Sequence, residues 1–282
     1  MISIIICSRK VDISQELKDN IASTIGCEYE LCVIDNSHND YNIFTAYNEG
    51  IRRAKGDIFC FMHEDILFQS ASWGTEINEI FARNIKVGAI GVVGGQYLSA
   101  KRVAWWDASP MIGSIIQGQL DETGQYNTHY DNGGAVSEIT DVVVVDGCFM
   151  CIRTSLFEKI RWDNASYNGF HIYDMDICMQ ILNIKYKVCV TPRIELEHQS
   201  SGVQDDFYYM ALDTFILKWQ KQLPIYRGIV LNSNELLWRE RIMEIVSHAH
   251  FMETSLLQTK QSITYRLGKF LLKPFSWIKR KL

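Results

Sequence analysis

Five consecutive apolar residues, Ile58 to Met62, stand between Gly56-Asp57 and the abruptly polar triplet His63-Glu64-Asp65. An apolar run of that length, without alternation, reads as a strand covered on both faces, as in the parallel sheets of α/β proteins. The chain ahead of it obeys the same plan. Ile2–Cys7 is a similar run, followed by the turn Ser8-Arg9-Lys10, and Tyr29–Ile34 is another, ending at Asp35-Asn36-Ser37. Between them Ser14 can cap a helix carrying Leu17, Ile21 and Ile25, which Gly26 can close. After Asp35, the residues Ile43, Ala46, Tyr47, Gly50, Ile51 and Ala54 recur at spacings of three and four and make one buried stripe. Strand, helix, strand, helix, strand predicts the parallel half of a nucleotide-binding α/β domain.

The whole chain has 282 residues, enough for one large α/β domain with an appendage or for two modest domains. Its 47% hydrophobic and 12% aromatic content fills a sizeable core and excludes wholesale disorder. A net charge of −5 leaves no overall footprint for nucleic acid. The eight cysteines argue for a reduced, cytoplasmic setting. Cys7, Cys32, Cys60 and Cys189 lie in or beside apolar runs as small hydrophobes, and Cys148-x-x-Cys151 has no second pair at zinc spacing. The N-terminus lacks the pattern of a signal peptide, and no stretch has the ~18 apolar residues of a membrane span.

Further along, Trp73–Arg83 predicts a helix and Val87–Val93 a buried strand leading into Gly94-Gly95. Gln96 to Ser137 reads as one long irregular region, a length that suits a functional loop. Ile139–Val145 predicts a strand, Thr154–Ile160 a short helix, Tyr173–Leu182 a helix and Tyr186–Thr191 a strand. Residues 206–222 and 234–247 are helical by period, with Phe207, Met210, Ala211, Thr214, Phe215, Leu217 and Lys218 as the stripe expected to pack on the body. After Glu253 there is no acidic residue, whereas seven are basic, from Lys260 to Lys281.

In an open α/β sheet, ligands bind outside the carboxyl ends of the strands. Polar features fall at those ends in succession: Ser8-Arg9, Asp35, His63-Glu64-Asp65, Asp146-Gly147 and His198, with Tyr173-Asp174-Met175-Asp176 opening a helix. This arrangement resembles the inverting glycosyltransferases of family two, over roughly residues 1–202. The segment from Asn48-Glu49-Gly50 through Ala54-Lys55-Gly56-Asp57 to His63-Glu64-Asp65 matches the family's Asn-x-Gly-x-x-x-Ala-x-Gly-Asp, apolar strand and Asp-x-Asp. Asp174-x-Asp176, with His198 some way after it, matches a second family segment.

The resemblance implies a GT-A fold: a Rossmann-like, mostly parallel central sheet flanked by helices. Residues 1–202 would be the catalytic domain and 203–282 a helical C-terminal extension. It implies a nucleotide-diphosphate sugar as donor, a UDP-sugar first, and a glycan or lipid-linked acceptor. Ser8, Arg9, Asp35, Asn48, Glu64 and Gly147 would bind the nucleotide sugar. Asp65, with His63 and His198, would hold a divalent cation, Mn²⁺ or Mg²⁺. Asp174 would be the catalytic base. Asp176 either contacts the acceptor or supports the helix start or His171, since residues two apart do not share a helical face. Trp105 and Trp106 are either core or a sugar-stacking wall for the acceptor.

His63 departs from the family pattern, which has Asp there, and imidazole suits manganese better than magnesium. The triplet together with His171-x-Tyr173-Asp174-x-Asp176 resembles bacterial members associated with surface polysaccharides. The basic tail, with Ile263, Leu267, Phe270, Leu271, Phe275, Trp277 and Ile278, suits an anionic membrane surface, making the protein peripheral on the inner face of the cell membrane. Packing on the body or in a homodimer is the other reading of the tail. A nucleotide-sugar-binding homologue without turnover and a nucleotidyltransferase compete with the transferase. The latter lacks a Gly-rich phosphate loop with a basic residue after the first strand.

Overall fold

The computed structural model describes residues 1–109, 111–120, 126–131, 138–200, 204–264 and 266–267. Of the tail positions named above, Ile263 and Leu267 are described and exposed, and Phe270, Leu271, Phe275, Trp277 and Ile278 lie outside the described residues.

The first half follows the predicted alternation: β1 (Ile2–Ser8), α1 (Gln15–Thr24), β2 (Tyr29–Asp35), α2 (Ile43–Arg53) and β3 (Ile58–Met62). Ser14 Oγ accepts the Leu17 amide at 3.1 Å to start α1, and Asn42 Oδ1 accepts the Thr45 amide at 2.9 Å to start α2. Then come β4 (Ile66–Phe68), α3 (Trp73–Arg83), β5 (Val87–Gly91), β6 (Val93–Gly95), β7 (Tyr97–Leu98) and α4 (Trp105–Ala108). β8 (Met111–Leu120) and β9 (Tyr126–Asp131) form a hairpin, followed by β10 (Thr140–Val142), β11 (Val144–Val145) and β12 (Phe149–Arg153). After a 3₁₀ turn at Thr154–Glu158 the chain forms α5 (Tyr173–Asn183), β13 (Lys187–Val190) and β14 (Leu196–His198). It closes with α6 (Asp206–Trp219), β15 (Ile225–Tyr226) and α7 (Ser233–Gln261).

The central sheet has seven strands in the order β10-β13-β5-β12-β3-β1-β2. β2, β1, β3, β5 and β13 run one way, and β12 and β10 run against them. Both faces are covered, which is why the central strands are continuously apolar rather than alternating. In β1, Ile2, Ile4 and Ile6 join one core with α1 and α3, while Ile5 joins the opposite core with α2, α5 and α6. A second sheet, β11-β6-β8-β14-β4 with β9 on its edge, adds to the layer beside α1.

Two predicted strands are each divided between the sheets. Val87–Val93 ends in the central sheet at Gly91 and resumes at Val93 in the second; Ile139–Val145 likewise switches at Val143. The crossing needs Gly94, since a Cβ there would stand 2.2 Å from the Val144 carbonyl oxygen. The expected irregular region Gln96–Ser137 instead contains β7, α4 and the β8–β9 hairpin. β12, in the middle of the central sheet, has no counterpart in the sequence reading.

The α6 stripe is rotated from the expected one, sharing with it buried Phe215 and the partly buried Ala211. Tyr208, Tyr209, Leu212, Phe215 and Trp219 are buried in the main core, and Phe207, Met210 and Leu217 face solvent. The observed set runs i, i+4, i+7, i+11 from Tyr208, and its amphipathic aromatics bury ring area while keeping a polar tip. α7 begins with a capping box between Asn232 and Glu235 and continues to Gln261, well beyond the predicted 247.

Candidate active site

β3 ends where His63 N donates to the Cys148 carbonyl at 3.0 Å, fixing the triplet at the carboxyl edge of the sheet. From there the side chains diverge. Glu64 turns toward β1 and β2: Ser8 Oγ donates to its Oε2 at 2.5 Å and the Arg9 amide to its Oε1 at 3.1 Å. Parallel register sets Ser8 beside Asp35, and exposed Asp35 accepts the Ser37 amide at 2.9 Å. The Ser37 backbone and hydroxyl hold the Asp35 carboxyl below its ordinary range. Ser8, Arg9, Asp35 and Glu64 thus form one edge group.

His63 and Asp65 turn the other way, toward His198. β14 pairs with β4 so that His198 lies opposite Ile66, and Gln199 N donates to the Asp65 carbonyl at 3.0 Å. That pairing closes the long sequence gap between the triplet and His198. His63 Nδ1 and His198 Nε2 are 3.2 Å apart, and Asp65 Oδ1 is 3.5 Å from His198 Nε2 and 3.9 Å from His63 Nδ1. Donors bound to one metal at about 2.1 Å stand roughly 3.0–3.4 Å apart, so the 3.2 Å edge of this triangle matches, the 3.5 Å edge lies just outside, and the 3.9 Å edge must shorten for an ion to be held. Two imidazoles and one carboxylate fit a divalent transition ion such as Mn²⁺ better than Mg²⁺. Among the described residues this is the group of side chains that could hold a metal.

The charges agree with that fit. Burial opposes ionisation of Asp65, but the His198 hydrogen bond and the two imidazoles hold its carboxyl well below the usual range. Burial, then the adjacent His198, pushes His63 down to about 4, leaving its imidazole neutral and able to donate a lone pair. Burial also opposes charge on His198, yet the Asp65 hydrogen bond and the charge of Asp146 raise it. His63 Nε2 is oriented by the Tyr173 hydroxyl at 2.6 Å. Gly147 makes room for that ring: a Cβ there would stand 2.2 Å from Tyr173 Oη.

Behind this triangle a cavity of about 140 Å³ is lined by His63, His198, Asp146, Gly147, Asp174, Trp105, Trp106 and Tyr208, among others. Asp174 lies in the first turn of α5, where the Met175 amide donates to its Oδ1 at 2.8 Å. Burial and then the charge of Asp146 raise its pKa to about 7. Trp105 is buried, its ring 5.5 Å from that of half-buried Trp106, which lies 5.7 Å from Tyr208. Both tryptophans therefore belong to the cavity wall, and Trp105 to the core as well.

Two expected site residues join neither the edge group, nor the metal-capable triangle, nor this cavity. Asn48 Nδ2 donates to the Trp162 carbonyl at 2.7 Å, tying α2 to the chain before α5. Asp176 points into the interior, where it accepts from Tyr167 Oη at 3.1 Å, Trp219 Nε1 at 2.8 Å and Lys218 Nζ at 2.7 Å. It fastens α5 to α6 and does not support His171, which pairs with Asp205 at 3.4 Å. Asp146, Tyr173 and Tyr208, with Gln117 and Ser200, are among the cavity residues left without a role in the sequence reading. Asp146 at a strand end carried a signal; Tyr208 carried none.

A mostly parallel sheet gathers carboxylates and imidazoles at its carboxyl edge, beside a partly open pocket with a near-neutral acid, which is where open α/β sheets place their ligand sites. The chain belongs to the glycosyltransferase-like family, whose model matches residues 3–216. Its architecture is the mostly parallel central sheet flanked by helices that the resemblance implied. No curated protein matches the chain. Similar solved structures include A197 from STIV, at 13% identity over 70% of this chain and 84% of that one, TM-score 0.40. GalNAc-T7 with UDP, GalNAc and Mn²⁺ is similar at 10% identity over 75% of this chain and 47% of that one, TM-score 0.49. The mannosyltransferase PcManGT from Pyrobaculum calidifontis with GDP-Man and Mn²⁺ is similar at 11% identity, 95% and 83% coverage, TM-score 0.45. Among the described residues no helix is long and apolar enough to cross a membrane.

Proposed function

We propose that this chain transfers a sugar from a nucleoside-diphosphate sugar, a UDP-sugar first, to a hydroxyl of a glycan or lipid-linked acceptor, with inversion. The observation that carries the reading is that His63 and His198 of the metal-capable triangle and the Asp174 carboxylate line one cavity from different elements, with Asp65 at 3.5 Å from His198 Nε2. The 140 Å³ of that cavity is the space of about five waters, too small for a nucleotide. The nucleotide would lie outside it along Ser8, Arg9, Asp35 and Glu64, with the diphosphate between the two groups. His63, Asp65 and His198 would hold a divalent cation, which supplies charge neutralisation for the departing diphosphate when bound.

In this reading the acceptor oxygen attacks the anomeric carbon as the bond to the diphosphate oxygen breaks. Asp174 takes the acceptor's proton, and the nucleoside diphosphate leaves with the bonding electrons. A base with a pKa near 7 is matched to that task at neutral pH. One displacement assisted by one carboxylate inverts the centre. Trp105, Trp106 and Tyr208 form an aromatic wall suited to a sugar face.

The test is steady release of nucleoside diphosphate from a panel of nucleotide sugars with Mn²⁺, dependent on a glycan acceptor and lost in Asp174→Asn. Tight binding of the nucleotide sugar without release, under every acceptor tried, would favour the binding homologue. The observation on that side is His63, whose Nε2 is engaged by Tyr173 where the family pattern has a carboxylate.

We further propose a role in bacterial surface-polysaccharide synthesis, with residues 1–202 as the catalytic domain and 203–282 as the extension. In this picture the protein is cytoplasmic and the basic tail meets anionic lipid, where a lipid-linked acceptor would be found. Anionic vesicles should sediment the full chain and not residues 1–258; equal sedimentation of the two would remove the membrane role.

A further inference from the structure

α7 is apolar on two opposed sides, and among the described residues only one of them is covered. Its inner side seats Leu236, Met243 and Val246 against Tyr97, Val103 and Ala108. Glu240 accepts from Ser99 Oγ at 2.6 Å, and Arg239 stacks over the Tyr97 ring, so the helix is anchored on the body. The outer side presents Trp238, Ile242, Ile245, Ala249, Met252 and Leu256, all exposed. Their spacings are 4, 3, 4, 3 and 4, a seam that repeats every seven residues.

That period carries information. A helix lying on a globular body or on a lipid surface needs a broad apolar stripe, whereas a narrow 3.5-residue seam suits another helix with the same repeat. The seam runs about 27 Å along the helix. Five of its six side chains are each more than half exposed. They offer on the order of 700 Å² per chain, near the roughly 800 Å² that each partner contributes to a standard interface. An apolar patch of this size is rare on a free monomer surface.

Charge decides between the occupants. Within α7, Arg239, Arg241 and Lys260 face four acids, Glu235, Glu240, Glu244 and Glu253. A helix with more acids than bases has no attraction for an anionic bilayer, unlike the basic tail beyond it. A second copy of α7 supplies the same heptad seam and the same mixed charges, and is thus complementary by symmetry. We infer that the outer seam of α7 joins two copies of this chain as a helix-to-helix homodimer. This surface lies apart from the catalytic cavity, and the inference does not rest on the proposed activity.

The test is light scattering and equilibrium sedimentation of the full chain at micromolar concentration, beside the Ile242→Glu/Ile245→Glu variant and Met252→Glu. The parent should have twice the chain mass. Each charge placed in the seam should weaken association about 30-fold, the ratio that corresponds to a 2 kcal/mol hot-spot loss. The Ile242→Leu/Ile245→Leu variant should stay dimeric. Both exposed isoleucines can carry charge without unfolding the body, which unchanged far-ultraviolet circular dichroism and Mn²⁺ calorimetry verify; Met252→Glu alone serves if the double variant unfolds. A monomeric parent, or a dimer that survives the folded charged variants, overturns the inference. So does a parent that is monomeric in solution and loses vesicle binding on charging the seam, which would assign this face to lipid.

Discussion

Asn in place of Asp174 keeps the shape of the side chain and its bond to the Met175 amide, but removes the charge. Two effects of opposite sign should follow. Burial and Asp146 raise the Asp174 pKa from 3.8 to about 7, so the native state binds a proton that the unfolded chain releases between those values. The parent therefore loses stability as pH rises through that window, and Asn, which does not titrate, escapes the loss. Three pH units at 1.36 kcal/mol each set a ceiling of about 4 kcal/mol. The mouth of the cavity admits solvent and screens part of it, leaving roughly 2 kcal/mol. At about 2–4 °C per kcal/mol, Asp174→Asn should melt ~4–8 °C above the parent at pH 8 in chelator, with a smaller gain at pH 5.

Its sugar transfer should fall by about 10²–10⁴-fold at pH 8. The parent's acid limb, with a midpoint near 7, should vanish from the residual rate. Calorimetric titration of nucleoside diphosphate should be nearly unchanged. A variant that melts below the parent at pH 8, or gains equally at pH 5 and pH 8, would refute the burial argument. Parent-level transfer would remove Asp174 as the base.

Asp176→Asn should behave oppositely. Lys218 keeps Asp163 at 2.7 Å but loses its buried partner, so denaturant melts should show a loss of about 3 kcal/mol, with a smaller drop in turnover than for Asp174→Asn. Gly147→Ala forces a Cβ to within 2.2 Å of Tyr173 Oη, and should cost ~1–3 kcal/mol and weaken Mn²⁺ binding by calorimetry through the loosened His63. His63→Asp replaces a nitrogen donor by oxygen and should move the ratio of Mg²⁺ to Mn²⁺ affinity toward Mg²⁺; an unchanged ratio would place His63 outside the metal set.

The parallel half was legible because each strand from Ile2 to Met62 is covered on both faces, and its helices carry caps and stripes of full length. Local chemistry also separated Asp174 from Asp176, since two residues on one helical turn diverge; what the sequence could not say is that Asp176 finds Lys218 and Trp219 on α6. β12 escaped because Phe149–Ile152 is a short apolar run with no period of its own, and short runs of that kind do not declare strand or helix. The bends at Val92 and Val143 escaped for a related reason: a continuous apolar segment gives no sign that its two ends serve different sheets.

The same distinction runs through the site. Ser8, Asp35 and His198 end their strands, and His63 and Asp65 follow the end of β3, so strand ends mark them and the sheets assemble them. Asp146 also ends a strand, but the raised pKa of Asp174, set by burial and then by Asp146, depends on packing α5 against β11. Tyr208 reaches the cavity only because α6 folds back over α5, and no local pattern encodes that return. Metal-capable donors are thus readable one strand at a time. The acid strength of the base and the shape of its pocket are properties of tertiary packing, and they come from residues whose own neighbourhoods look like ordinary core.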